Sequence, residues 1–158
     1  MADKRPFYPE LKFWQEFYTT KFCSFDRYNQ IYLMDVNTNL TPSEKLSQAV
    51  IRGMQEKKAS DIVLMDLRNV KNAVADFFVL CTGSSDTQID AIAESVDEQV
   101  IKETEENPWH QEGKENKEWM LIDYVNVVAH IFKQETRKFY GLETLWGDAL
   151  VHSYEETV

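Results

Sequence analysis

The chain has 158 residues, 43% hydrophobic and 28% charged, enough apolar material for a core without disulfide staples. Its 17 basic and 27 acidic side chains leave a formal charge of −10, which excludes the bulk basic footprint of nucleic-acid and anionic-membrane binders and points to a basic macromolecular partner. Two cysteines, Cys23 and Cys81, fit a reducing cytoplasm better than a disulfide framework; no apolar run reaches transmembrane length, and Lys4-Arg5 is followed by no apolar secretory core.

The chain divides near residue 40. Residues 1–40 carry five acidic and five basic side chains, so the whole negative balance lies in 41–158. The same segment holds 10 of the 20 aromatics, from Phe7 to Tyr32, in no helical or strand period. The expectation for 1–40 is a poorly ordered extension, with an aromatic docking arm as the alternative. Residues 41–158 are expected to form one domain.

Regular signals begin at Thr41-Pro42-Ser43-Glu44. Thr41 can cap, Pro42 suits the first helical position and Glu44 completes a capping box. Leu46, Ala49, Val50 and Met54 recur on one face, which predicts a helix to about Lys57. Residues 61–67 read as a strand. Residues 77–82 are a continuous apolar run, the mark of a strand covered on both faces. Ser85 to Gln88 reads as a second capping box. It opens a helix over 86–106, with Ile89, Ile92, Ala93, Val96 and Val100 on the apolar side and acidic residues elsewhere.

Asn107-Pro108 ends that helix, and 107–117 read as a loop. Residues 118–123 and 127–132 are short strands joined too tightly to be parallel. Residues 133–140 form a helix closed by Gly141, and Leu142, Leu145 and Trp146 make a last apolar turn. The strand, long helix and strand that start at residue 77 imply a parallel crossover. The fold class is therefore α/β, a mixed β-sheet flanked by helices on both faces.

Few motifs carry chemistry. His110, His130 and His152 are twenty or more residues apart, so no metal site is expected. A Cys81-His130-Asp123 constellation can be drawn, yet Cys81 lies inside an apolar strand, where a thiol behaves as an inert hydrophobe. The Gly83-Ser84 turn joins a buried strand to a capped helix and could hold a phosphate. Nucleotidyl transfer also needs paired carboxylates for magnesium. Near this turn the sequence offers only Asp86, Asp90 and a single Asp123, so a helix-capping turn is the stronger reading. Trp119, Tyr124, Tyr140 and Trp146 could be core, or could serve a docking face beside an acidic surface.

Residues from about Ser43 to Ala149 resemble the ribosomal silencing factor family (Iojap, RsfS). The matching stretches are Ala75 to Ser85, Glu112-Gly113, Trp119 to Tyr124, Val127 to Phe132 and Glu135 to Ala149, in that order. The resemblance implies a fold related to the nucleotidyltransferases without their activity, and a non-enzyme without cofactor or metal. It implies a cytoplasmic protein that binds the large ribosomal subunit at large-subunit ribosomal protein fourteen. Docking there would block joining of the small subunit and repress translation when nutrients are short. On this resemblance the partner-binding residues are Trp119 as aromatic anchor, Tyr124 beside it, Asp123 and Asn126. The family usually has Gly-Asp where this chain has Val125-Asn126. A homodimer of the free protein stays open, and the competing class is a nucleotide-binding enzyme built on Gly83-Ser84.

Overall fold

A computed structural model describes residues 40–154, so the expectation for residues 1–39 lies outside the described part. The first helix, α1 (Pro42–Glu56), starts as its sequence dictates. The Thr41 hydroxyl accepts the Glu44 N–H, and the Glu44 carboxylate accepts the Thr41 N–H at 2.8 Å. The strands β1 (Ser60–Asp66) and β2 (Phe77–Gly83) follow, then the long helix α2 (Asp86–Thr104). Next come β3 (His110–Glu112), β4 (Trp119–Asp123), β5 (Val127–Lys133), the short helices α3 (Gln134–Tyr140) and α4 (Leu142–Leu145), and β6 (Leu150–Tyr154).

The six strands form one sheet in the order β3-β4-β5-β2-β1-β6. Only β2 and β5 are parallel; every other neighbouring pair is antiparallel. The mixed α/β sheet is as expected. The crossover differs in one respect: the parallel partner of β2 is β5, not β4, the strand expected to follow α2. The chain leaves α2, runs out to the sheet edge at β3 and returns through β4. The β4–β5 hairpin then brings β5 alongside β2.

Two strands differ from expectation. Residues 110–112 pair with β4 instead of looping, and residues 150–154 add an edge strand to β1. The long helix also ends at Thr104, where Glu105 takes a left-handed conformation (φ +59°), before Asn107-Pro108 is reached.

Alternation along the strands divides the side chains between two faces. One face carries Ile62, Leu64, Phe77, Val79, Cys81, Met120, Ile122, Val127, Ala129 and Ile131 into a core with the apolar sides of α1 and α2. The two helices approach closely at Gly53, where an added Cβ would lie 2.6 Å from the Val96 Cα. The other face carries Phe78, Leu80, Thr82, Trp119, Leu121, Val128, His130 and Phe132, by register. The segment holding α3 and α4 lies over it, with Tyr140 against Trp119 and Trp146 edge-on to Phe78.

Arg137 fastens that segment to the sheet. Its Nη1 donates to the Asp61 carbonyl at 2.7 Å and to Thr82 Oγ1 at 2.9 Å, and its Nε and Nη2 donate to Glu143 Oε1. Every edge of the guanidinium is engaged, which makes it a structural clamp.

Candidate partner-binding surface

Trp119 opens β4 opposite Phe132 of β5 and two register positions from His130, on the same face. Its indole stacks on Phe132 (centroids 5.0 Å apart, 24° between planes) and tilts against Tyr140 at 4.7 Å. The indole N–H donates to His130 Nδ1 at 3.2 Å. Tyr140 in turn meets Phe139 edge-on at 5.3 Å. Burial falls steadily along this row. Phe132 is fully buried, Trp119 and Tyr140 are partly exposed, and Phe139 is 69% exposed. The row carries aromatic rings from the core to the surface, the amphipathic chemistry that protein interfaces favour.

His130 itself is buried. An indole N–H can only donate, so Nδ1 must be the bare nitrogen and the proton sits on Nε2. Nε2 has no hydrogen-bond partner. An unsatisfied buried donor costs about 1–3 kcal/mol. Burial also disfavours the imidazolium and lowers the pKa to about 3.

The other expected contact residues lie at the far end of β4. Tyr124 follows the strand on the α2 face, opposite in direction to Trp119, so the two are not side by side. It is buried, and its hydroxyl donates to Asp97 Oδ1 of α2 at 2.7 Å. Burial, and then that bonded carboxylate, push the phenol far above its ordinary range. Asp123 is also buried, and its Oδ1 accepts the Val125 N–H at 2.7 Å.

These two buried residues frame an exposed tip, Val125 and Asn126. The Asn126 N–H donates to the Tyr124 carbonyl at 3.0 Å, which closes a γ-turn with Val125 at φ +75°. The Asn126 carbonyl accepts the N–H groups of Asp76 and Phe77, tying the tip to the start of β2. The four residues named from the sequence thus occupy two ends of β4. Trp119 stands at one end, while Asp123, Tyr124 and Asn126 build the turn at the other.

The enzymatic constellations do not assemble. Cys81 points to the helix face of the sheet, whereas His130 and Asp123 belong to the other face. Burial also pushes the Cys81 thiol up. The Gly83-Ser84 turn is closed by Gln88, whose Oε1 accepts the Ser84 N–H at 2.7 Å and the Ser84 hydroxyl at 2.8 Å. The second capping box is therefore half formed: Ser85 Oγ accepts the Gln88 N–H, but Gln88 reaches back to Ser84. An added Cβ on Gly83 would meet Ile89 Cγ1 at 2.6 Å, so this glycine serves close packing against α2.

Asp123 is paired through Val128 to the Phe78 level of β2, five residues from Gly83, about 17 Å along the strand. At the turn itself the acids already have cations. Asp86 pairs with Lys133 at 2.9 Å, and Lys117 with Asp90 at 2.5 Å. The bond to Lys133 lowers the Asp86 pKa, and the bond to Asp86 raises that of Lys133. His110 pairs with Glu112 instead of joining the other histidines, and no cluster of three potential metal ligands exists among the described residues.

The sequence reading did not single out Phe139 and placed Leu145 in an apolar turn; on α3 and α4 the two are exposed at 69% and 56%. A helix of seven residues is too short for a period to show which face is covered. The Arg137–Glu143 clamp was also missed, although i, i+6 spacing across a glycine cap was its visible trace.

The comparisons agree with this architecture. The family model described as "Ribosomal silencing factor during starvation" matches residues 40–157. The ribosomal silencing factor RsfS of Halalkalibacterium halodurans is 36% identical over 107 residues, 68% of this chain and 90% of that protein. That of Bacillus subtilis is 39% identical over 94 residues, 60% of this chain and 78% of that protein. A crystal structure of a protein from Chromobacterium violaceum superposes with a TM-score of 0.60 at 31% identity, covering 65% of this chain and 83% of the other. No described helix is long and apolar enough to cross a membrane. With the family model covering the whole described fold, the chain belongs to the ribosomal silencing factor family, RsfS.

Proposed function

We propose that this chain silences ribosomes by docking on the large subunit at large-subunit ribosomal protein fourteen. Bound there it blocks association with the small subunit and represses translation when nutrients are limiting. The observation that carries the reading is the aromatic row from Phe132 through Trp119 and Tyr140 to the exposed Phe139. Such a row supplies a packed anchor at the surface of an acidic chain, and ribosomal proteins are basic. Trp119 is the anchor. Asn126 makes a second contact from the tip, and Asp123 and Tyr124 act from beneath by holding the turn.

The role is cytoplasmic and non-catalytic; the separation of Asp123 from Gly83-Ser84 supports the second point. For the free protein, a homodimer would use β6, the edge strand on which Leu150 and Val151 are exposed.

Co-sedimentation with isolated subunits tests the reading. Binding to large subunits is expected to be saturable and to weaken with salt, as an acidic protein meeting a basic one should. W119A should weaken binding about thirtyfold, the effect of losing an interface anchor. Because Trp119 also packs on Phe132, F139A serves as a companion that trims an exposed ring, and it should weaken binding too. Equal binding to small subunits, or none to either, contradicts the proposal.

A further inference from the structure

The sheet face under α3 and α4 contains a polar side chain that packing alone does not call for. His130 is 3% exposed in mid-strand, and its cross-strand neighbours are Leu80 and Leu121. A leucine would fill that row without the unpaired Nε2–H, though it would offer the Trp119 indole no acceptor. The imidazole instead makes one hydrogen bond, to the Trp119 indole, and leaves Nε2–H unsatisfied in the interior. That arrangement opposes folding. Its one polar service is to Trp119.

Stacking explains why that service matters. Contact with Phe132 and Tyr140 fixes the plane of the indole, but ring faces slide and rotate over one another at little cost. A hydrogen bond from Nε1 to a ring locked in the core fixes the remaining in-plane heading, and with it which indole edge faces outward.

We propose that His130 is a positioning residue whose Nδ1 sets the heading of the Trp119 indole and so preorganises the aromatic anchor for its basic partner. Preorganisation raises affinity by removing the ordering that binding would otherwise require. The inference rests on the reading of Trp119 as a contact residue.

Two substitutions separate positioning from packing. Asparagine places Oδ1 close to where the imidazole has Nδ1, so H130N keeps the acceptor but leaves a gap and unpaired amide donors. H130L fills the space and removes the acceptor. Positioning therefore predicts opposite orders for binding and stability. In co-sedimentation with large subunits H130L should bind about tenfold more weakly than wild type and H130N within about threefold. In thermal melts H130L should be at least as stable as wild type, and H130N less so. In the free protein the Trp119 indole 15N–1H resonance, assigned by its loss in W119F, should be protected from solvent exchange in wild type and H130N but not in H130L.

Wild-type binding by H130L alongside a binding loss in W119A overturns the inference while sparing the docking surface. Binding that merely follows melting temperature in both variants overturns it as well. If W119A binds like wild type, the docking surface itself is wrong. The indole exchange then decides the positioning alone, and unchanged protection in H130L contradicts it.

Discussion

Val125 is a β-branched residue held at φ +75° and 54% exposed. Side chains with a Cβ avoid that region, and strain of this kind costs of order 1–3 kcal/mol. Little packing compensates at an exposed tip. The Asp123 carboxylate and the Asn126 hydrogen bonds hold the turn in place regardless. V125G should therefore raise stability by about 1 kcal/mol after the extra chain entropy of glycine is counted, seen as a rise of a few degrees in melting temperature. An unchanged or lower melting temperature would show that the valine side chain supports the turn.

His130 gives stability a pH dependence of definite sign. Its folded pKa is lowered to about 3 by burial, against an ordinary value of 6.5. Between those values the unfolded chain binds the proton and the folded chain does not. The contribution is intact above about pH 6.5 and is lost progressively as pH falls toward 3, at about 1.4 kcal/mol per pH unit well below 6.5. Denaturant titrations of wild type and H130L from pH 7 to 4.5 should show the smaller loss in H130L. Parallel losses would place the acid sensitivity in other groups.

At the level of elements, legibility followed local chemistry. The start of α1 could be read because Thr41 and Glu44 carry both halves of a capping box in four residues. Strand β2 could be read because all seven of its residues are buried. Neither β3 nor β6 announced itself. Both are edge strands, the first of three half-buried residues and the second largely exposed. Their pairing with β4 and β1 holds them, and no burial period of their own does.

Trp119 could be singled out from the sequence as a candidate, but its surroundings could not. Trp119 meets Tyr140, and Tyr140 meets Phe139, in a segment that Arg137 ties back to Asp61 and Thr82, residues 55 to 76 positions earlier. The family resemblance implied Tyr124 beside Trp119. An odd separation along an extended chain puts the two on opposite faces, one under α3 and the other under α2.

For the whole molecule, the fold separates two surface features along β4. At one end the aromatic row reaches the surface through Phe139. At the other stands the Val125-Asn126 tip. In the proposed docking the charge of −10 favours approach to a basic partner from a distance, while hydrogen bonds at Trp119, Asp123 and Tyr124 fix the positions of the residues proposed to make or support contact. The Gly83-Ser84 end contributes packing and lysine–carboxylate pairs; on the proposed function, silencing needs occupancy of the large subunit and no chemistry. A subunit-joining assay followed by light scattering tests this most directly. Protein preincubated with large subunits should lower the joining amplitude in proportion to the fraction bound, with no nucleotide present, and W119A should require about thirtyfold more protein for the same effect. Full joining of large subunits already saturated with the protein would contradict the account.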